Sequence, residues 1–494
     1  MLFPNYSYPG RLRNNFIQSH SHEHIHYLLM LCCRGIHLAQ ALARAMKIIR
    51  VLTAVAALLS TSASYALQDC PSIWNDAKLR TNTTGAIRLT MLHTQHRCSP
   101  VRRQRGLPPS WHQHHSTALH RERRLLFRRR PPPPNISTPV TSTSAAGVDH
   151  GFMAQVAIGT PPTTQTVLID TAASFSWVQC APCARNGCYN QDGPLFDTRT
   201  SSTYAAVPCS TQPCVSVDAT MARTNCSSSG DKTCLYRVEY TDRSVSQGRV
   251  SRDTLTLGQE KIPGFMFGCS RHHEPTFERY AGIFGFANDR VSFFSQVVDK
   301  SRQYRAFSYY LPSPSSVGYI QVGSYDEGGL AFTPMFSRNL YYFLALTGMT
   351  VDGSPIDLAS TNLSAGQPRP SEFVMYLDLG SAFSLLPSHV YKRICDAVAQ
   401  GIKGYDRIHR GGQSCCFDPS FLSTERAVPT VQIHFRNGVR LVLNEARLMY
   451  ETPDERLCLG FVPSTSRFLL GSMQLQMAYV VQDVEKSIMG FPRT

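Results

Sequence analysis

Two aspartates occupy matching positions in the two halves of this 494-residue chain. Asp170 follows the apolar run 167–169, Asp378 follows the apolar run 374–377, and each opens a tight turn. Two carboxylates held a few ångströms apart cannot both ionise cheaply, so they share a proton. One of them can then take a proton from water while the other protonates a peptide carbonyl. We therefore predict that Asp170 and Asp378 form a catalytic dyad for peptide hydrolysis at acid pH.

The segments around these aspartates occur twice in the same order. Each apolar run and Asp turn is followed later by two apolar residues and a glycine, at 283–285 in the first half and at 469–471 in the second. An apolar run that ends in a turn indicates a buried strand. The repetition predicts two like lobes, each presenting one aspartate, with the site at their junction.

The region after residue 149 predicts an all-β fold. Short runs rich in β-branched and aromatic residues alternate with Gly, Pro, Asn and Ser, which is typical of strands separated by turns. The clearest strands are 151–158, 235–240, 319–322, 341–346 and 431–435. Few helices are indicated, and the better ones are 291–299 and 388–400.

Residues 46–66 form what we interpret as a targeting signal. Residues 46–50 carry positive charge, 51–59 are apolar, and small residues precede Ala66. This is the pattern of a secretory signal peptide cleaved after Ala66. Because residues 1–45 lie upstream of a complete signal, we expect translation to begin at Met46.

The segment between the signal and the lobes is predicted to be a propeptide and linker. It contains an Arg-rich stretch at 121–130 and four prolines at 131–134, which form a stiff spacer, and a disordered basic tail without a role is the alternative. We expect the folded body to start near residue 149. The predicted boundaries are 1–45 for a dispensable upstream segment, 46–66 for the signal peptide, 67–148 for the propeptide and linker, 149–335 for the N-terminal lobe and 336–494 for the C-terminal lobe.

Charge and hydropathy argue against two classes of partner. Residues 1–130 carry 19 Lys or Arg and four Asp or Glu, which accounts for the whole formal charge of +15. A nucleic-acid groove needs its basic excess on the folded domain, so we predict no nucleic-acid partner. No stretch reaches the roughly 18 uninterrupted apolar residues of a membrane span, so we predict no membrane partner either.

Twelve cysteines follow residue 150, and behind a signal peptide an even number favours disulfides over the alternative of a zinc site. Their connectivity is left open. Four sequons, at Asn82, Asn135, Asn225 and Asn362, are candidate glycosylation sites. The H-E-x-x-H pattern at 22–26 lies in a His-rich run before the signal, so we interpret it as chance and predict neither a metal site nor a cofactor. The cysteines are Cys180, Cys183, Cys188, Cys209, Cys214, Cys226, Cys234, Cys269, Cys395, Cys415, Cys416 and Cys458.

From residue 151 to residue 491 the chain resembles the pepsin-type aspartic proteases, specifically the cysteine-rich nepenthesin-like group of plants. Besides the two Asp motifs, the matching stretches are 158–162, 176–183, 267–269, 307–309 and 470–472. The resemblance implies a bilobal all-β fold related by a pseudo-twofold, with a cleft between the lobes for an extended peptide. It also implies a cysteine-rich insertion and a flap hairpin in the N-terminal lobe.

The resemblance further implies the residues of the site. Asp170 and Asp378 would be catalytic, while Tyr240, Thr171, Gly380 and Ser381 would bind substrate, with Tyr240 covering the scissile bond from the flap. An ordinary strand tyrosine is the alternative for Tyr240.

The first Asp motif departs from the family pattern, Asp-Thr-Gly-Ser. Ala172 and Ala173 stand where the family has Gly and Ser. The missing hydroxyl at Ala173 would have bonded Asp170, and a hydrogen bond to a charged group contributes about 1.5–3 kcal/mol. In the second motif Leu379 replaces the family's Thr or Ser, so only Thr171 retains the hydroxyl that crosses to the opposite turn.

The flap departs as well, because Arg243 stands where the family has Gly. A cation there would favour ionised carboxylates in the dyad, whereas pairing with Asp242 or solvent would leave them unaffected.

Two functions are compatible with this sequence. The first is a secreted aspartic endopeptidase, extracellular or vacuolar, made as a zymogen and acting as a monomer on peptides or proteins, with reduced activity or narrow specificity. The second is a catalytically inactive relative that binds peptides or inhibits another protein.

Overall fold

Strands dominate the computed structural model of this protein. The structure describes residues 70, 73, 86–99, 151–183, 187–218, 222–227, 230, 232–240, 244–274, 279–338, 340–359, 371–407, 415–419, 426–452 and 456–494. All of these except residue 70 belong to one compact unit, 73–494.

The strands, numbered along the chain, have the following bounds. They are β1 (Ile87–His93), β2 (Phe152–Ile158), β3 (Thr163–Asp170), β4 (Trp177–Ala181), β5 (Phe196–Asp197), β6 (Ala205–Ala206), β7 (Arg223–Cys226), β8 (Cys234–Glu239), β9 (Val245–Leu257), β10 (Glu260–Glu274), β11 (Gly282–Gly285), β12 (Ala306–Tyr310), β13 (Val317–Val322), β14 (Leu330–Arg338), β15 (Tyr341–Val351), β16 (Ser354–Ile356), β17 (Phe373–Leu377), β18 (Ser384–Pro387), β19 (Tyr405–Arg407), β20 (Cys416–Pro419), β21 (Val431–Phe435), β22 (Arg440–Leu443), β23 (Met449–Glu451), β24 (Leu457–Leu459), β25 (Phe461–Ser464), β26 (Phe468–Leu470), β27 (Tyr479–Asp483) and β28 (Ile488–Pro492).

The helices of the described residues are short. They are α1 (Gln212–Asp218), α2 (Phe293–Ser301), α3 (Ser388–Gly401), α4 (Glu445–Leu448) and α5 (Ser472–Leu475), with a 3₁₀ turn at Arg436–Gly438. The helices predicted at 291–299 and 388–400 are confirmed as α2 and α3. Ser292 starts α2, because its side chain accepts a hydrogen bond from the Ser295 N–H at 3.1 Å. All five predicted strands are confirmed within a few residues.

The same strand arrangement occurs in each lobe. In the N-terminal lobe β3 runs parallel to β11, and β11 is antiparallel to β4. In the C-terminal lobe β17 runs parallel to β26, and β26 is antiparallel to β18. The repeated segments of the sequence are therefore the paired central strands of two like lobes, which confirms the predicted bilobal all-β fold.

A sheet at the junction connects the two lobes. Strands β12 and β13 pair with each other, β12 pairs with β27, and β27 pairs with β28. Strand β14 pairs with β28 through residues 330–334 and with β15 through residues 335–338. The chain therefore enters the C-terminal lobe along a single continuous strand.

Strand β1 corrects one prediction, namely that the folded body begins near residue 149. It lies between β13 and β2 in the junction sheet and is antiparallel to both. Ile87, Leu89 and Met91 alternate with more exposed residues and join the main core. The reason is that this alternating apolar pattern suits a half-buried strand, although it lies inside a basic segment.

All twelve cysteines after residue 150 are paired, which confirms the disulfide prediction. The pairs are Cys180–Cys269, Cys183–Cys188, Cys209–Cys226, Cys214–Cys234, Cys395–Cys415 and Cys416–Cys458. No helix among the described residues is long and apolar enough to span a membrane.

The burial of β1 predicts a stability effect. Met91 is fully buried, so Met91→Ala is expected to lower the free energy of unfolding by about 2–5 kcal/mol through lost packing. The partly exposed Thr90 makes a control in the same strand, and Thr90→Ala is expected to cost under half as much. Guanidinium chloride unfolding of the full chain measures both. Equal, small shifts of the two midpoints would mean that β1 contributes little to stability.

Candidate active site

Each predicted catalytic aspartate lies where a central strand of its lobe ends. The Asp170 carbonyl accepts a hydrogen bond from the Phe286 N–H at 2.8 Å, and the Asp378 N–H donates to the Leu470 carbonyl at 3.1 Å. Both side chains are buried, with 4% of Asp170 and 8% of Asp378 exposed. The neighbouring parallel strand thus holds each Asp turn in position.

Two serines that the sequence reasoning missed support these turns. The Ser176 hydroxyl accepts from the Gly285 N–H at 3.1 Å, and the Ser384 hydroxyl accepts from the Gly471 N–H at 2.9 Å. Each serine lies six residues after its aspartate, and this shared offset was the signal that could have revealed them.

The two Asp turns meet, as the sequence predicted. The Leu379 N–H donates to the Thr171 hydroxyl oxygen across the junction at 2.9 Å. A Cβ atom placed on Gly380 would lie 2.7 Å from the Asp170 Cγ atom, so only glycine fits this close approach. Ala172, at the equivalent position of the first turn, carries the methyl that Gly380 lacks. The two turns therefore cannot approach the opposite carboxylate equally closely.

The hydrogen bonds to the two carboxylates differ. Asp170 Oδ1 accepts from the N–H groups of Ala172 at 2.7 Å and Ala173 at 3.2 Å. Asp378 Oδ1 accepts from the Gly380 N–H at 2.8 Å, and its Oδ2 accepts from the Ser381 hydroxyl at 2.7 Å. Ser381 and Ala173 are both three residues after their aspartates, so the second lobe has a hydroxyl donor where the first has a methyl group.

Tyr240 lies at the end of the β8–β9 hairpin, which is the position of the predicted flap. Its hydroxyl oxygen accepts a hydrogen bond from the indole N–H of Trp177 at 2.7 Å, and both side chains are buried. Trp177 begins the strand that follows the first Asp turn, so this bond ties the flap to the wall of the site. Asp242 and Arg243, for which the sequence left two roles open, lie outside the described residues.

Tyr341, at the start of β15, is a further residue of the site that the sequence reasoning missed. Burial raises the pKa of its hydroxyl, and the negative charges of Asp378 and Asp170 raise it further. The Arg467 cation acts in the opposite direction. The Tyr341 side chain is 7% exposed, and its hydroxyl has no hydrogen-bond partner among the described residues. A neutral, buried donor thus lies within electrostatic range of the dyad.

His273, on β10, packs behind the Trp177–Tyr240 pair. Its ring centroid is 5.0 Å from that of Trp177 and 4.9 Å from that of Tyr189. Burial lowers the pKa of the imidazole from its ordinary value of 6.5 to about 4. The folded protein therefore keeps this ring neutral at pH values where the unfolded chain protonates it.

This burial predicts a loss of stability in acid. Between about pH 6.5 and pH 4 the unfolded chain binds a proton at His273 that the folded chain does not, so stability falls as the pH is lowered through this range, by up to about 3 kcal/mol. In His273→Gln the loss of stability that comes from protonation of His273 in the unfolded chain should disappear, so the difference in Tm between pH 7 and pH 4 should shrink. Identical pH dependence of Tm in wild type and His273→Gln would contradict the prediction.

Within the described part of the chain, no group of three or more His, Cys, Asp or Glu side chains is arranged to hold a metal ion. The functional groups that the site offers are the two buried carboxylates of Asp170 and Asp378, together with Tyr240 on the β8–β9 hairpin.

A bilobal β fold in which an Asp turn from each lobe meets at the junction defines the pepsin-like class of proteins. Comparison with solved structures agrees: basic 7S globulin from soybean superimposes with a TM-score of 0.55 at 20% identity, covering 69% of this chain and 91% of that one. Conglutin gamma from lupine seeds also has a TM-score of 0.55, at 19% identity, covering 70% and 92%.

Sequence comparison gives the family. The family descriptions "Xylanase inhibitor N-terminal" and "Xylanase inhibitor C-terminal" match residues 152–324 and 341–493. Aspartyl protease family protein 2 of Arabidopsis thaliana is 32% identical over 367 residues, covering 71% of this chain and 73% of the relative. Aspartic proteinase nepenthesin-2 of Nepenthes gracilis is 28% identical over 367 residues, covering 73% and 80%. The chain belongs to the pepsin-type aspartyl protease family of plants.

Proposed function

We propose that this protein is an aspartic endopeptidase in which Asp170 and Asp378 activate a water molecule between them. The observation that carries the proposal is the meeting of the two Asp turns, shown by the Leu379–Thr171 bond and by the fit of Gly380 against Asp170. The carboxylate that is ionised removes a proton from the water, and the protonated one donates to the peptide carbonyl. No covalent intermediate is needed.

The roles of the surrounding residues follow from their positions. Gly380 leaves room at the dyad, Ser381 donates to Asp378, and Thr171 holds the two turns together. Tyr240, on the hairpin above, closes over a peptide in the cleft and excludes water from it. Because Ala173 contributes no hydroxyl to Asp170, we propose that activity is reduced or that the range of substrates is narrow.

The proposed activity is tested by incubating the purified protein, with β1 retained, with an unfolded protein substrate at pH 3–5. Cleavage that a pepstatin-type inhibitor blocks is the expected result. If the protein is shown to be folded by its thermal transition and still cleaves nothing over this whole pH range, the result would favour the non-catalytic function described next.

That second candidate is a non-catalytic protein that binds peptides or inhibits another protein. The observation that favours it is the loss of both supporting hydroxyls, at Ala173 and Leu379, in a site that keeps Asp170, Asp378 and Tyr240. Such a protein is expected to bind peptides equally well with Asp170 or Asn at position 170.

We further propose that the protein enters the secretory pathway and acts outside the cell or in the vacuole as a monomer on peptide or protein substrates. The proposal is supported by the six disulfides among the cysteines after residue 150, since disulfides persist in oxidising compartments. The predicted signal peptide, 46–66, lies outside the described residues.

A further inference from the structure

The junction sheet has an outer face, which is turned away from the main core. Three adjacent strands, β13, β12 and β27, each place a core residue on the inner face: Ile320, Tyr309 and Val480. Side chains alternate along a strand, so the tyrosines next to them in sequence lie on the outer face. These are Tyr319, Tyr310 and Tyr479, and we call them the tyrosine row.

The tyrosine row is regular. In the strand register Tyr319 lies opposite Tyr310, and Tyr310 lies opposite Tyr479. Neighbouring strands are about 4.8 Å apart, so the row repeats a tyrosine at this interval. The Tyr310 and Tyr319 rings are stacked at 22°, with centroids 6.4 Å apart. All three side chains are partly exposed, so the row reaches the surface of the protein.

Arg88 of β1 borders one end of the row. Its guanidinium carbon lies 4.2 Å from the Tyr319 ring centroid, and its Nε donates to Gln321 Oε1 at 2.9 Å. These two contacts fix the orientation of the guanidinium. Its two terminal nitrogens have neither a hydrogen-bond nor an ion-pair partner in the part of the chain that the structure describes. A planar fork of this kind binds a carboxylate through two parallel hydrogen bonds.

The tyrosine hydroxyls are also available to a ligand. Those of Tyr310 and Tyr319 make no hydrogen bond to any described residue, and the Tyr479 hydroxyl oxygen accepts from the Asp326 N–H at 3.2 Å but keeps its own hydrogen to donate. Partial burial raises the pKa of Tyr319, although Arg88 opposes this shift, so the hydroxyl is neutral at ordinary pH. A neutral phenol can both donate and accept a hydrogen bond.

The charges around the row favour an anion. Besides Arg88, the partly buried Arg447 cation interacts electrostatically with Tyr310. Its terminal nitrogens donate to two backbone carbonyls and to no carboxylate among the described residues. The one acidic group that acts on Tyr319 is that of Asp326. Two cations against one carboxylate leave a positive field over the row.

We propose that Arg88 and the tyrosine row bind an acidic polysaccharide, a chain of uronic acid sugars. A sugar carboxylate lies on the Arg88 fork, and sugar hydroxyls exchange hydrogen bonds with the tyrosine hydroxyls. Val317, on the same face of β13 and 44% exposed, offers apolar surface to the C–H groups of a sugar ring. An acidic peptide would supply the carboxylate without a hydroxyl at each step, and a neutral polysaccharide would supply the hydroxyls without the carboxylate. The site uses neither Asp170 nor Asp378, so it does not depend on the proposed endopeptidase function.

The test is calorimetric titration of the full chain at about pH 6, where carboxylates are ionised, with an oligomer of galacturonic acid. Its Kd is expected to be at least about tenfold lower than that of a neutral galactose oligomer of equal length or of polyglutamate. Arg88→Gln should raise the Kd at least about tenfold, and Tyr310→Phe combined with Tyr319→Phe at least about threefold. Arg237→Gln is the matched control and should leave the Kd unchanged, because Arg237 is also a strand arginine whose guanidinium donates to a cross-strand glutamine, Gln247, at 3.0 Å.

Each other outcome overturns the proposal. Polyglutamate that binds as tightly as the uronate oligomer would indicate an acidic protein partner instead, and no binding of the uronate oligomer would reject the site. A Kd that the two Tyr→Phe substitutions leave unchanged would reject the tyrosine row, and this pair decides the question if Arg88→Gln does not fold. Asp170→Asn should bind the oligomer as wild type does, so failure of the endopeptidase function and failure of this site can be told apart.

Discussion

Replacing Asp170 with asparagine is expected to abolish acid proteolysis, lowering kcat/KM by at least about 10²–10⁴-fold. Asparagine keeps the shape of the side chain, and its oxygen can still accept from the N–H groups of Ala172 and Ala173. What it removes is the proton exchange between the two carboxylates. Asp378→Asn should have an effect of the same size, because one remaining carboxylate cannot serve as acid and base at once.

The matched control for this experiment is Asp253→Asn. Asp253 is a buried aspartate of the same lobe, 1% exposed and bonded by Thr203, but it lies outside the Asp turns. The Asp253→Asn variant should retain activity in proportion to the fraction of the protein that is folded. If wild type, Asp170→Asn and Asp378→Asn cleave at the same rate, the activity does not arise from the dyad.

Restoring a hydroxyl next to Asp170 is expected to increase activity. Ser381 shows the geometry required, since its hydroxyl donates to Asp378 Oδ2 at 2.7 Å from three residues after the aspartate. Ala173 holds the equivalent position in the first lobe. Because this position is only 2% exposed, water would compete little for a hydrogen bond between a serine hydroxyl there and Asp170. A hydrogen bond to a charged group contributes about 1.5–3 kcal/mol, which predicts a tenfold to hundredfold gain in kcat/KM for Ala173→Ser.

The reciprocal change tests the same reasoning. Ser381→Ala removes the corresponding donor from Asp378 and should lower kcat/KM by a similar factor. Adding Asp170→Asn to Ala173→Ser should return activity to the background rate. An Ala173→Ser protein with unchanged Tm and unchanged or lower activity would show that the missing hydroxyl does not limit this site.

Much of the fold could be predicted because the decisive patterns are local. The apolar runs before Asp170 and Asp378 are central strands, and their later Gly-containing partners pair with them in parallel. Strand β1 was missed although residues 87–91 alternate, because the basic composition around them outweighed the pattern. The even number of cysteines predicted disulfides but no pairing. Cys180 joins Cys269, 89 residues away, because parallel strands β4 and β10 bring them together.

The β lobes, their duplication and the two aspartates can be read from the amino-acid order, since strand periodicity, turn residues and motif spacing are properties of short segments. Which side chains surround those aspartates depends on how the chain folds. Trp177 reaches Tyr240 across 63 residues, and Phe336, Phe343 and Tyr376 become neighbours through the register of three strands. Register depends on how whole sheets bury their apolar faces, so it follows from the packing of the complete lobe and not from any one segment of the chain.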